Sequence, residues 1–314
     1  MPFRCTDILY LKGDFKMNEM RELTLEEKCE IKPVLENLKI NPGVKIFGFI
    51  DTSLDKVYDV YLLGEKDKVI LKKCGEGRDI IKYDKYFTNK NFNVPKIIRR
   101  TAVNNEEYVL MEYVGDTDGR GCGEKQGSNI GIALAEIQGY FLTKGGHTEI
   151  SDSYFKKEIL CRKTKTAKFL PEIEKIFNLV EKRFYEVPHT LIHDDLLPIN
   201  VLLNADKAYF IDWEYAKILP YFMDLGRFAF VYNEKKEMFI PKTSAKAFLN
   251  SYYKKISQNS LFNISLKEFN LDVAISAFCQ YVLFCSFLKN ETEFNSSLDG
   301  KYLKEIVNYM KNNI

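Results

Sequence analysis

At 314 residues, with 46% hydrophobic and 29% charged side chains, the chain has room for two lobes and a large core, and its composition excludes a disordered or fibrous protein. A net charge of +2 gives neither nucleic acid nor an anionic membrane surface a reason to bind. Seven cysteines, at 5, 29, 74, 122, 161, 279 and 285, are odd in number and form no C-x-x-C pair. With only His147, His189 and His193 beside them, they argue against a disulfide frame or a zinc site and for reduced thiols in a cytoplasmic protein.

The first twenty residues hold no sustained apolar run, so no signal peptide is expected. Thr24-Leu25-Glu26-Glu27 reads as a capping box that opens a helix with Ile31, Val34, Leu35 and Leu38 on one side, and Pro33 should kink or interrupt it. Strands are expected over 44–50, 56–63 and 69–73, a helix over 79–87, and two further strands over 97–100 and 108–113, five strands in all. The glycine-rich stretch 116–127 follows the fifth strand, not the first, and so reads as a linker and not as a phosphate loop.

Beyond it the chain turns helical. Ser128 should cap a helix carrying Ile130, Leu134, Ile137 and Phe141 and stopped at Gly145-Gly146. Pro171 should open another, with Ile173, Ile176, Phe177, Val180 and Phe184 inward, ended by Pro188. Helices are expected near 243–257, 266–289 and 298–311. The most apolar window, 274–288, is too short to span a bilayer and reads as a buried core helix.

Between these helices lies the most informative stretch, Leu191-Ile192-His193-Asp194-Asp195-Leu196-Leu197-Pro198-Ile199-Asn200, followed by Ile211-Asp212-Trp213-Glu214. The run 201–203, the turn 204–207 and the returning strand 208–211 form a hairpin that should bring Asn200 and Asp212 together. An Asp, an Asn and a second Asp at this spacing match the kinase pattern H-x-D-x-x-x-x-N with its later metal-binding Asp. One carboxylate can take the proton of an attacking hydroxyl, while the amide oxygen and the other carboxylate can hold Mg²⁺ on nucleotide phosphates.

On these motifs, with Asp224-Leu225-Gly226-Arg227-Phe228 after them, the chain resembles the aminoglycoside phosphotransferase and choline kinase superfamily over about 44–231. Ile211–Ala216 is especially similar to bacterial choline and thiamine kinases. The resemblance implies an α+β, two-lobed, protein-kinase-like fold. A small nucleotide-binding lobe with an N-terminal helical segment would occupy 1–114 and a mostly helical catalytic and acceptor-binding lobe 115–314. It implies Mg²⁺ as cofactor, ATP or GTP as donor, and a small-molecule hydroxyl as acceptor.

Carried onto this sequence, the resemblance makes Asp195 the catalytic base, His193 the brace of its loop, and Asn200 and Asp212 the metal ligands. Asp224 would accept backbone N–H bonds from the loop or serve as a helix N-cap. Lys72 would reach the phosphates from the third strand, with Ile70 on the same face over the adenine; a one-residue slip would give the role to Lys73. Asp79 or Glu76 would pair with the lysine. Met111 would border the adenine, the Glu112 carbonyl and Val114 N–H would read its edge, and Thr52 and Ser53 could donate to phosphate. Gln138 stands where a His is common.

The family expectation for the acceptor is a cation, aminoglycoside-like or choline-like. An aromatic cage could draw on Tyr221, Phe222, Phe278, Tyr281 and Phe284, and a carboxylate site on Glu214, Glu291 and Glu293; Trp213 is the only Trp. A reading from another class is a nucleotide-binding pseudokinase or a spore-coat-type structural protein. A protein kinase is disfavoured, because G-x-G-x-x-G, D-F-G and A-P-E are missing. No nucleic acid and no membrane span are expected.

Overall fold

The computed structural model describes residues 20–51, 56–74, 78–230 and 240–312, and the chain divides into two units after Thr117. The first unit runs β1 (Met20–Glu22), α1 (Leu25–Asn37), β2 (Ile46–Asp51), β3 (Lys56–Leu63), β4 (Val69–Lys73), α2 (Arg78–Tyr86), β5 (Ile97–Val103) and β6 (Glu106–Glu112). The strands form one sheet in the order β1-β2-β3-β4-β6-β5, antiparallel throughout.

Six strands stand where five were expected. The extra one, β1, is three residues of largely polar sequence with no apolar alternation to betray it, and it exists because β2 offers a paired edge, Met20 opposite Phe49 and Glu22 opposite Phe47. The Thr24–Glu27 capping box forms as expected. Helix α1 then runs through Pro33 without ending. A helix-interior proline costs about 3 kcal/mol. Against that, Ile31, Val34, Leu35 and Leu38 are buried against Ile46, Leu63, Leu71 and Leu110 of the sheet, at about 1.5–3 kcal/mol per side chain. Burial therefore wins, and Arg99 Nη1 donates to the Leu38 carbonyl at 2.5 Å at the helix end.

The second unit carries β7 (Thr117–Asp118), α3 (Glu124–Tyr140), α4 (Glu149–Tyr154), a π-helical turn at Phe155–Leu160, α5 (Cys161–Ala167), α6 (Ile173–Glu186), β8 (His189–Ile192), a 3₁₀ turn at Pro198–Asn200, β9 (Val201–Asn204), β10 (Lys207–Phe210), β11 (Lys217–Pro220), α7 (Met223–Phe230), α8 (Lys242–Ile256), α9 (Leu266–Cys285), α10 (Glu291–Ser296) and α11 (Leu298–Lys311). Two small sheets, β10-β9-β7 and β11-β8, sit among the helices.

Several boundaries move from their expected places. Helix α3 starts inside the glycine-rich stretch, with Gln126 Oε1 taking the Gly123 N–H at 2.8 Å, so Ser128 is an interior residue and not a cap. It ends at Tyr140, well before Gly145, because the chain is then drawn into a bridge between Thr143 and His189. Gly119 N–H donates to the Pro198 carbonyl at 2.9 Å, so part of the supposed linker backs the 193–200 loop. The window 274–288 lies mostly in the buried helix α9. No helix among the described residues is long and apolar enough to cross a membrane.

Helices α3 and α8 cross at contact distance through Gly127 and Gly131. A Cβ on Gly131 would lie 2.3 Å from the Phe248 carbonyl oxygen, and one on Gly127 2.4 Å from that of Ser244. Gly131→Ala gains about 1 kcal/mol in helix propensity, but overpacking costs about 1–3 kcal/mol and here meets backbone. Net destabilisation is the expected outcome, read as a lower urea midpoint with unchanged slope.

Candidate active site

The 193–200 loop begins where β8 leaves the interior. All four residues of β8 are buried, and the loop hangs from them. His193 is fully buried beside Trp213, ring centroids 4.6 Å apart. Its Nε2 bonds the Ile211 carbonyl at 2.7 Å and its Nδ1 meets the Asp195 N–H at 3.3 Å. A carbonyl can only accept and an amide N–H only donate, so the ring is the Nε2–H tautomer. The histidine thus ties the loop to the segment that carries Asp212.

Asn200 closes the loop. Its Nδ2 donates to the Asp195 carbonyl at 2.8 Å and to Asp195 Oδ2 at 3.3 Å. That commits the amide nitrogen to Asp195 and leaves Oδ1, a hard oxygen donor, accepting no hydrogen bond among the described residues. The β9–β10 hairpin pairs Val201 with Phe210, and the Ile211 N–H donates to the Asn200 carbonyl at 3.0 Å. Asp212 therefore follows directly after a bond to Asn200. It lies beyond the end of β10, as the returning strand 208–211 implied, with φ +65°. Asp194 has the same left-handed φ; Asp is among the few non-glycine residues that visit this region readily.

Helix α7 grips the loop from below. The buried Asp224 accepts the His193 N–H at 2.8 Å, the Asp194 N–H at 3.0 Å and Gln138 Nε2 at 3.1 Å. Asp224 thus holds the loop backbone and is not a helix N-cap. Burial pushes its carboxyl up to about 6, against the pull of His193 and these N–H groups. Gln138 is itself held by the Tyr252 hydroxyl, so the Gln in place of a His serves as an inner support.

Three partners of the loop escaped the sequence reading. Arg227 pairs with Asp195 through Nη2 and reaches Gln280 Oε1 at 3.2 Å. Lys217 pairs with Asp194, and the Tyr154 hydroxyl donates to Asp194 at 2.6 Å from the residue just before the π-helical turn. Burial first, and the Asp194 charge second, hold the Tyr154 hydroxyl protonated well above its usual range. One signal was available: Arg227 is three residues after Asp224, so on a helix the two share a face.

In the first unit the buried Leu71 faces α1, which by strand alternation sends Ile70 and Lys72 to the other face of the sheet. Ile70 is paired with Met111, and Lys72 with Val109, on β6. Lys73, on the face opposite Lys72, makes a part-exposed pair with Glu106 at 3.3 Å. The Glu112 N–H bonds the Lys96 carbonyl at 2.9 Å, and Val114 is buried. Thr52, Ser53, Glu76 and the side chain of Asp79 lie outside the described residues.

The profile of the phosphotransferase enzyme family known as APH matches residues 58–254. The chain belongs to that family. This phosphotransferase is 28% identical over 116 residues to Protein LicA of Haemophilus influenzae, a match covering 36% of this chain and 40% of LicA. Its fold is similar to that of a candidate fructosamine-3-kinase from Haemophilus somnus 129PT, with TM-score 0.53 and 10% identity over 89% of this chain and 95% of that one. A type VIII aminoglycoside-3'-phosphotransferase aligns at TM-score 0.47 and 16% identity, over 82% and 99% of the two chains. The chain is thus a phosphotransferase by family, on an α+β kinase-like fold.

Proposed function

We propose that this phosphotransferase moves the γ-phosphate of ATP or GTP to a hydroxyl of a small molecule, with Mg²⁺ as cofactor and Asp195 as base. The observation that carries the reading is the arrangement of Asp195, Asn200 and Asp212. Asn200 spends its amide nitrogen on Asp195 and keeps its oxygen, and the hydrogen bond from the Ile211 N–H to the Asn200 carbonyl ties the segment that carries Asp212 to the loop.

The donor set suits a hard divalent cation, because an amide oxygen and a carboxylate oxygen are ligands that Mg²⁺ prefers, with phosphate oxygens and water completing its shell. Charge neutralisation on the β- and γ-phosphates is what Mg²⁺ supplies when bound. The chain's own part is positional. Asp195 orients the acceptor hydroxyl and receives its proton as the acceptor oxygen bonds phosphorus and the bond to the nucleoside diphosphate breaks. His193 and Asp224 keep the loop in place. In this reading Lys72 contacts the phosphates, Ile70 and Met111 border the base, and Glu112 and Val114 read its edge.

For the acceptor we take a hydroxylated amine, supported by the likeness of Ile211–Ala216 to choline and thiamine kinases. The aromatic-cage version loses most of its support, because Tyr221, Phe222, Phe278 and Tyr281 are buried in the core and only Phe284 is half-buried. Glu291 and Glu293 lie at the start of α10, where the Glu293 carboxylate accepts the Lys289 N–H at 2.8 Å. Glu214, two residues after Asp212 and half-buried, is the carboxylate we assign to the amine.

A coupled nucleotide-turnover screen across aminoglycosides, macrolides, choline, ethanolamine, thiamine and sugars tests this. Magnesium-dependent transfer to amine-bearing alcohols is the expected result. Transfer only to neutral sugars or macrolides would overturn the acceptor class.

A further inference from the structure

We propose that Arg227 is a positioning residue for the transfer. Steered by Gln280, its guanidinium fixes the Asp195 carboxylate so that one oxygen stays aimed at the acceptor hydroxyl. The inference rests on the reading of Asp195 as base.

Arg227 is buried, 5% exposed. A guanidinium in that setting is costly unless charge and hydrogen bonds compensate it. Its partners include Asp195 through Nη2 and Gln280 through Nη1. For stability alone, apolar side chains of similar volume in place of the whole Arg227–Asp195 pair would serve as well or better, although removing one partner alone is costly. What arginine adds is direction, from a planar fork of fixed geometry.

The helix that carries it is itself fixed. Gly226 sits so close to α9 that a Cβ would lie 2.5 Å from the Ala277 nitrogen. The Gly226 N–H donates to Ser276 Oγ at 2.8 Å, and that hydroxyl donates to the Met223 carbonyl at 3.2 Å. This contact sets Arg227, the next residue, beside Gln280, one helical turn beyond Ser276. Asp224 and Arg227 then act from one face of α7. The first holds the loop backbone at His193 and Asp194, and the second holds the side chain of Asp195.

The remaining groups around Asp195 leave a gap that Arg227 fills. His193 Nδ1 takes the backbone N–H of Asp195 and Asn200 approaches Oδ2, whereas the contact on Oδ1 comes from Arg227. Lys217 is committed to the neighbouring Asp194.

The test uses the full-length protein with Arg227→Met, Arg227→Lys, Gln280→Met and the double variant Arg227→Met/Gln280→Met. Thermal melts confirm folding, and ATP turnover is followed with the best acceptor from the panel above. Arg227→Met should lower kcat about 10²-fold, the size of effect that a misplacement of about 1 Å brings, with KM for ATP unchanged. Arg227→Lys, which keeps the charge without the fork, should recover only part of the loss. Gln280→Met should slow the wild-type background but add nothing to Arg227→Met, the non-additivity expected of one unit.

A folded Arg227→Met enzyme with wild-type kcat overturns the inference. If that variant does not fold, equal kcat in Gln280→Met and wild type overturns it instead. Asp195→Asn separates the two levels: retained turnover there removes the base reading itself, while its loss beside an unaffected Arg227→Met removes only the role of Arg227.

Discussion

Asp195→Asn should lower phosphoryl transfer by at least about 10²-fold, the low end for loss of a general base, and leave nucleotide affinity unchanged. Asparagine has nearly the same shape, so Asn200 can still bond the backbone carbonyl of residue 195 and the loop keeps its outline. Its side-chain oxygen can still accept from Arg227. What it lacks is a lone pair basic enough to take a proton. The variant also leaves the Arg227 charge without its carboxylate in a buried place, and breaking such a pair outright costs about 3–5 kcal/mol. Some loss of thermal stability should therefore accompany the loss of rate. Initial rates on protein shown by its melt to be folded, with calorimetric titration of nucleotide, separate the two effects. Turnover near wild type would mean that another group receives the proton.

The parts of this site that could be read from the sequence are those whose partners are near in the chain. His193, Asp195 and Asn200 lie within one loop, and the hairpin that returns to Asp212 is short and apolar with a polar turn. Spacing alone carries such local geometry. The alternation that buries Leu71 and turns Ile70 and Lys72 the other way is legible for the same reason, since a strand has only two faces. Where tertiary contacts overrule local preference, the reading failed. Pro33 ends no helix because burial of α1 outweighs it. Ser128 is no cap because Gln126 closes the turn at Gly123.

The loop's distant supports were the least legible. Gln138 is 86 residues from Asp224, Tyr154 40 from Asp194, and Arg227 32 from Asp195. No periodicity connects such positions. The glycines that let the helices approach look like linker glycines until the fold shows what a Cβ would strike. A site held by side chains from α3, α7 and the end of α4 is thus only half visible from its own motif. In the proposed reading the motif carries the reacting groups, and the helices carry the precision.

Replacing Asp212 should abolish the advantage that Mg²⁺ gives nucleotide binding and lower transfer by at least about 10²-fold, since the charge stabilisation a bound metal offers amounts to several kcal/mol. The choice of variant matters. Asp212 has a left-handed backbone at φ +65°. Alanine in that region costs about 1–2 kcal/mol that aspartate and asparagine largely avoid, so Asp212→Ala combines loss of a ligand with backbone strain. Asp212→Asn keeps the backbone preference and the shape but trades an anionic oxygen for a neutral one. If the residue acts as a metal ligand, both variants should bind nucleotide as weakly with Mg²⁺ as the wild type does with EDTA, while only the alanine variant melts appreciably lower. If it acts only as a turn former, Asp212→Asn should keep its Mg²⁺ dependence. Calorimetric titration of ATP into the wild type and both variants, with Mg²⁺ and with EDTA, decides between them, and equal affinity under the two conditions in the wild type would remove the metal from the reading altogether.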